Sequence, residues 1–181
     1  NARHGAEVVP AIQDARGAGI NVTVTRLVGV PRYRTVGDAD RGGLAARAAQ
    51  GKPMNHVASV ASFFVSRIDS LVDPLLEHVI AHGGEQAALA KTLRGQVAIA
   101  SAKMAYRLYK EVIRSDRFKK LAAQGARVQR LLWASTSTKN PDASEVKCVE
   151  AHTGPGPVNQ APLEPTAAHR PPHHPHAQHP H

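Results

Sequence analysis

The run VASVASFFV (57–65) is apolar nearly throughout and lacks the polar–apolar alternation of a strand with one wet face. Such a run fits a parallel strand covered on both faces, which constrains the fold more than any other stretch of the chain. The strand runs into Ser62, two aromatics and Arg67 before a helix opens. A later strand, in LLWASTSTKNP (131–141), finishes the same way, with hydroxyls followed by Lys139. Two strands that each end in hydroxyls and a cation point to an anion site on a strand-and-helix scaffold.

Around these runs the chain alternates. Residues 5–16 predict a helix with Pro10 inside it and Gly17 and Gly19 as C-cap candidates. INVTVTRLV (20–28) is rich in β-branched residues and reads as a strand. Residues 31–50 predict a helix, against which Gly37, Gly42 and Gly43 weigh. Ser70 is placed to cap the next helix, to which Leu71, Val72, Leu75, Leu76, Val79 and Ile80 give an apolar face. A further helix is expected at 85–93, a short β-like patch at VAIA (97–100), and helical spacing from there to Ile113. A helix follows through Phe118 and Leu121 to Gly125, then a third strand (128–135), a short helix (142–151) and a short strand near Val158. Strands alternating with helices argue for a right-handed parallel α/β arrangement. The strands number about half of those that close an eight-stranded barrel.

Composition bounds the function. At 181 residues and 42% hydrophobic, the chain can build one core, expected over 1–152. Residues 153–181 are dominated by Pro, Gly and His, ending PPHHPHAQHPH, and read as a disordered low-complexity tail. That tract lacks Cys or carboxylate partners for a specific metal site. No run of 18 apolar residues is present, and a single Cys excludes an internal disulfide framework, which together favour a cytoplasmic protein. The formal net charge of +9 suits phosphorylated substrates or nucleic acid. The basic residues are spread out without interleaved aromatics, so a sugar phosphate is as good a partner as DNA.

In a parallel α/β barrel the reactive groups sit at the C-terminal ends of strands and in the loops that follow. That rule selects Thr25 on the first strand, Ser62, Phe64 and Arg67 on the second, and Ser135, Ser137 and Lys139 on the third. Arginine matches phosphate with a planar fork and lysine supplies a point charge. The competing readings are an ion pair of Arg67 with Asp69 or Asp73, a backbone-bonded Ser62 hydroxyl, and a solvated Lys139. Lys139 is also the one lysine at a strand end, where a desolvated amine can form a Schiff base with a ketose. Lys91, Lys103, Lys110, Lys119 and Lys120 fall on helical patterns facing solvent.

INVTVT (20–25), ASVASFFVSRID (58–69) and LLWASTSTKNPDASEVKCVE (131–150) resemble the later strands of transaldolase, in its bacterial and plant-like subfamily. The likeness covers roughly 5–165. It implies about the last four β/α units of a (β/α)8 (TIM) barrel of the class I aldolase type. It implies transfer of a dihydroxyacetone unit from sedoheptulose 7-phosphate or fructose 6-phosphate to an aldose phosphate, in the pentose phosphate pathway, with neither metal nor organic cofactor. By position, Arg67 corresponds to the main phosphate-binding arginine, with Ser135 and Lys139 as partners. Ser62 and Phe64 line the sugar pocket, and Thr25 helps to hold the catalytic water. The Schiff-base lysine and the early-strand Asp and Glu belong on strands ahead of residue 5. Thr23 stands where the family has Asn, Arg26 where an apolar residue is expected, and Gly29 with Pro31 alters the following turn. The alternatives are a catalytically inactive half-barrel remnant and, more weakly, a basic nucleic-acid-binding protein.

Overall fold

The computed structural model describes residues 2–134 and 158–159. Their order is α1 (Ala2–Ala18), β1 (Val22–Leu27), α2 (Val30–Ala49), β2 (Ser59–Phe64), α3 (Ser66–His82), α4 (Glu85–Leu93), α5 (Val97–Arg114), α6 (Asp116–Ala122), β3 (Arg130–Ala134) and β4 (Val158–Asn159). The strands form a four-stranded sheet in the order β1-β2-β3-β4, with every pairing parallel. The expected helix at 142–151 lies outside the described residues.

Register decides which residues share a face. Val24, Ala61 and Leu131 are partners, as are Leu27, Phe63 and Trp133. All six are buried and join one cluster with Ile12, Tyr33, Val36, Ala102 and Leu108 from the helices. Tyr33, Phe63 and Trp133 meet edge to face at centroid distances of 6.3 and 6.0 Å. Each such contact adds about 0.5–1.5 kcal/mol beyond the area buried. Thr23, Val60 and Arg130 align on the opposite face, as do Ser62 and Leu132. There Val60, Phe64 and Leu132 are half-buried and Thr23 is exposed. Among the described residues, therefore, β2 is sealed by helices on one face only, not on both as its apolar run suggested, because Val60, Ser62 and Phe64 alternate with the core positions Ala61 and Phe63.

One of the glycines that weighed against α2, Gly43, is what lets it pack. A Cβ on Gly43 would collide with the Gln13 carbonyl oxygen and stand 2.6 Å from the Arg16 Cβ. Close approach of α1 and α2 buries an ion pair, Arg16 Nε to Asp40 Oδ1 at 2.6 Å. Arg16 Nη1 also donates to the Ala58 carbonyl at 2.9 Å, tying both helices to the entry of β2.

Two local expectations are corrected. VAIA is the first turn of α5, not a strand. Val97 and Ile99 favour a strand by shape, but Ala98, Ala102, Ala105 and Leu108 form a buried helical stripe that outweighs propensity. The Asp69 carboxylate accepts from the Ala98 N–H at 2.8 Å, satisfying a donor that the helix start leaves open. Ser70 is not a cap either. The helix α3 starts at Ser66, and the Ser70 hydroxyl donates back to the Ser66 carbonyl at 3.1 Å. Of the expected apolar face, Leu71 and Leu75 are 64% and 67% exposed, whereas Val72 packs on the core.

Candidate functional site

Thr25, Ser62 and Phe64 lie on strands whose C-terminal ends point the same way, and Arg67 sits in the first turn of α3 just beyond β2. Ser62 and Phe64 alternate with the core residues Ala61 and Phe63, which places them on the face away from the helices. Ser62 is nonetheless 5% exposed, a hydroxyl set low in the sheet, whereas Phe64 is half-buried at the rim.

The Arg67 guanidinium carbon lies 5.5 Å from the Phe64 ring centroid, so the ring orients the cation from below. The two carboxylates that competed for it are engaged elsewhere. Asp69 accepts from Ala98 N, and Asp73 accepts from Gly95 N at 3.0 Å. Among the described residues, Arg67 forms no ion pair and is exposed. The first turns of α2 and α3 open at this same end of the sheet, where helix N-termini favour anions. The Val65 N–H donates to the Ala134 carbonyl at 3.0 Å, which holds the ends of β2 and β3 together. Ser135, Ser137 and Lys139 lie outside the described residues.

Thr25 is positioned by an irregularity. Val24 pairs with Ala61 but Leu27 pairs with Phe63, so Thr25 and Arg26 together stand opposite Ser62. This is a β-bulge of two residues against one. It solves a problem set by the sequence. In unbroken register Arg26 would enter the core beside Phe63. The extra residue instead delivers Leu27 there, 2% exposed, and leaves Thr25 and Arg26 exposed. The backbone at Arg26 carries the strain, with φ of 61°, the left-handed region that L-residues avoid. The apolar residue expected at Arg26 is thus supplied one position later.

A cavity of about 20 Å³, room for about one water, lies between α2, α5 and α6 and is lined by Tyr33, Asp40, Tyr109 and Gln129 among others. It is on the helix side of the sheet and separate from the strand-end residues. A buried polar chain that the sequence did not disclose runs beside it. Gln129 Nε2 donates to the Ser59 hydroxyl at 2.8 Å, and Asp40 accepts from Ser59 as well as pairing with Arg16. Burial pushes the Asp40 carboxyl upward against the opposing pull of Arg16 and Ser59, and burial likewise raises the Tyr33 phenol. Nothing in the spacing of Arg16, Asp40 and Ser59 announces that they meet, since helix packing alone brings them together.

The open face can therefore hold an anion at Arg67 and hydrogen-bond a polyol through Ser62 and Thr25. The lysines read as helical and solvent-facing are so: Lys91 on α4, Lys103 and Lys110 on α5, Lys119 and Lys120 on α6, all exposed. No lysine among the described residues stands on a strand. The described residues contain no group of three His, Cys, Asp or Glu placed to hold a metal ion. No helix among them is long and apolar enough to cross a membrane.

Residues 5–169 match the family model for transaldolase/fructose-6-phosphate aldolase. The chain is 49% identical over 158 residues to a transaldolase of Trichodesmium erythraeum, covering 86% of this chain and 42% of that protein. It is 47% identical over 157 residues to transaldolase 2 of Nostoc sp., covering 85% and 41%, and 46% identical over 156 residues to a transaldolase of Saccharopolyspora erythraea, covering 86% and 40%. The chain spans about two fifths of the length of these curated relatives. A four-stranded parallel sheet, together with a family match over most of the sequence, places the chain in the transaldolase/fructose-6-phosphate aldolase family.

Proposed function

We propose that this chain forms the phosphate-binding side of a transaldolase site, built on a sector of a (β/α)8 barrel. Arg67, with Ser135 and Lys139, holds the phosphate of a ketose phosphate. Ser62 and Phe64 line the sugar, and Thr25 hydrogen-bonds the water through which acid–base chemistry passes. The lysine that condenses with the ketose carbonyl stands outside this sequence, so the dihydroxyacetone transfer of the pentose phosphate pathway needs a lysine-bearing segment as well. The observation that carries the reading is the stacking of Arg67 on Phe64, at 5.5 Å, beside a buried Ser62 on the face the helices leave open. Among the described residues, helices cover the other face alone, as in a barrel wall.

Borohydride trapping of the purified chain with fructose 6-phosphate, read by intact mass and peptide mapping, tests this. The expected result is no covalent adduct, with reversible binding that Arg67→Ala weakens by about tenfold to a hundredfold. An adduct on Lys139 would show that this chain carries its own nucleophile. Turnover at the rate of an intact transaldolase would sink the split-site reading. The inactive-remnant alternative predicts that neither fructose 6-phosphate nor inorganic phosphate binds.

A further inference from the structure

The far end of α3 carries two histidines that the sugar-phosphate reading does not use. His78 and His82 are four residues apart and both exposed, so they are neighbours on one face of the helix. Their ring centroids stand 4.2 Å apart at an interplanar angle of 61°. The His82 Nδ1 lies 2.7 Å from the His78 carbonyl oxygen. A carbonyl only accepts, so Nδ1 carries the proton, and in the neutral ring the lone pair is left on Nε2. Metal-binding histidines are held in this way, with one ring nitrogen donating to a backbone carbonyl and the other facing the ion. His82 closes the helix, where the negative end of the dipole favours a cation. Gly83 and Gly84 follow, and a Cβ on either would meet nothing within 4 Å, so this end is open to water. The adjacent carboxylate, Glu77, pairs with Arg94 at 2.7 Å.

We propose that His78 and His82 form a two-histidine chelate for a borderline divalent transition-metal ion such as zinc, with waters completing the coordination. Histidines at this spacing on a helix place both imidazoles on one side of an ion, and imidazole suits zinc, copper and nickel rather than magnesium or calcium. Two nitrogens bound tetrahedrally at about 2.0–2.1 Å from one ion stand about 3.3 Å apart. With His82 held by its carbonyl bond, rotation of the exposed His78 ring sets that distance. Two protein ligands make an exchangeable site, unlike the closed four-ligand sites of structural zinc. It lies about 20 Å along α3 from Arg67, at about 1.5 Å per residue. The ion therefore takes no part in sugar chemistry and pins the last turn of α3, and the proposal stands independently of the phosphate reading.

The test is a thermal melt of the whole chain, with zinc chloride or with EDTA, for the parent, His78→Gln and His82→Gln. Zinc is expected to raise the parent's Tm by a few degrees at about pH 7.5, because the ion binds the pair that the folded helix holds together. The shift should vanish in each variant and, in the parent, at about pH 5.5, where the imidazoles are protonated. Magnesium should give no shift. The histidines from 152 onward lie outside the described residues and are present in every variant, so the difference between parent and variants cancels whatever they bind. Modification by diethyl pyrocarbonate, mapped by peptide mass, gives a readout that does not depend on stability. Zinc should protect His78 and His82 several-fold and leave the exposed His56 reactive. A parent Tm that zinc does not move, a shift that survives in both variants, or protection no greater at His78 and His82 than at His56 overturns the proposal.

Discussion

The two faces of the sheet differ in what their residues are for. On the helix side, Ala61, Phe63, Leu131 and Trp133 are buried and interlock with Tyr33, Val36 and Leu108. On the other side, the positions between them carry Ser62, half-buried Phe64 and, across the bulge, exposed Thr25 and Arg26. Successive residues of one strand thus serve stability and recognition in turn. The phenylalanine pair Phe63–Phe64 shows how sharply the division falls: one ring is 0% exposed between two aromatics, and the next carries a guanidinium.

The largest effects should come from the sealed side. Phe63→Ala is expected to lose about 3–5 kcal/mol in urea denaturation, because the ring leaves a cavity between Tyr33 and Trp133. Phe64→Ala should lose less, roughly 1–2 kcal/mol, since part of its surface already meets water. Comparable losses at the two positions would mean that the open face is packed as tightly as the helical one. Asp40→Ala belongs with Phe63→Ala, at about 3–5 kcal/mol, because it strands Arg16 as an unpaired buried charge.

On the open side the expected losses are in binding. Arg67→Ala should weaken fructose 6-phosphate by about 1.5–3 kcal/mol, the worth of a hydrogen bond to a charged group, while changing stability by less than about 0.5 kcal/mol. A large drop in stability would move Arg67 into the scaffold and blur the contrast.

A smaller effect should appear in alkali. Burial raises the folded-state ionisation of Tyr33 above the ordinary tyrosine value of 10.0. The unfolded chain therefore loses its phenolic proton first. The stability that Tyr33 contributes is fully present below about pH 10 and is lost as pH rises beyond it. Urea midpoints measured from pH 8 to 11 should fall at the top of this range, and Tyr33→Phe should flatten that fall. An unchanged slope in Tyr33→Phe would assign the alkaline loss to another group, such as Tyr109, which burial also raises.

Much of this was legible in the residues. The apolar run at 57–65 announced a parallel strand, and the helix at 85–93 has the bounds its pattern predicts. Ser62, Phe64 and Arg67 were selected by the rule that strand ends carry function; the structure shows that Ser62 and Phe64 lie on β2 and Arg67 just beyond it. VAIA misled because β-branched residues fit a strand locally, while the stripe that makes them helical lies at Ala98, Ala102 and Ala105. Gly43 read as a helix-weakening residue because its purpose, admitting the backbone of α1, exists only once two helices meet.

Apart from VAIA, the sequence alone determined the order of strands and helices among the described residues, because periodicity and residue shape act over a few neighbours. It determined the charge at the strand ends for the same reason. The tertiary structure alone decided the Arg16–Asp40 pair, the Ser59–Gln129 bond and the place of Arg26, since each depends on partners 24, 70 and 36 residues apart. A bulge is the plainest case. Six letters, VTVTRL, prescribe a strand, but only the demand of the core for Leu27 beside Phe63, and the expense of burying a guanidinium there, turns Arg26 out to the open edge.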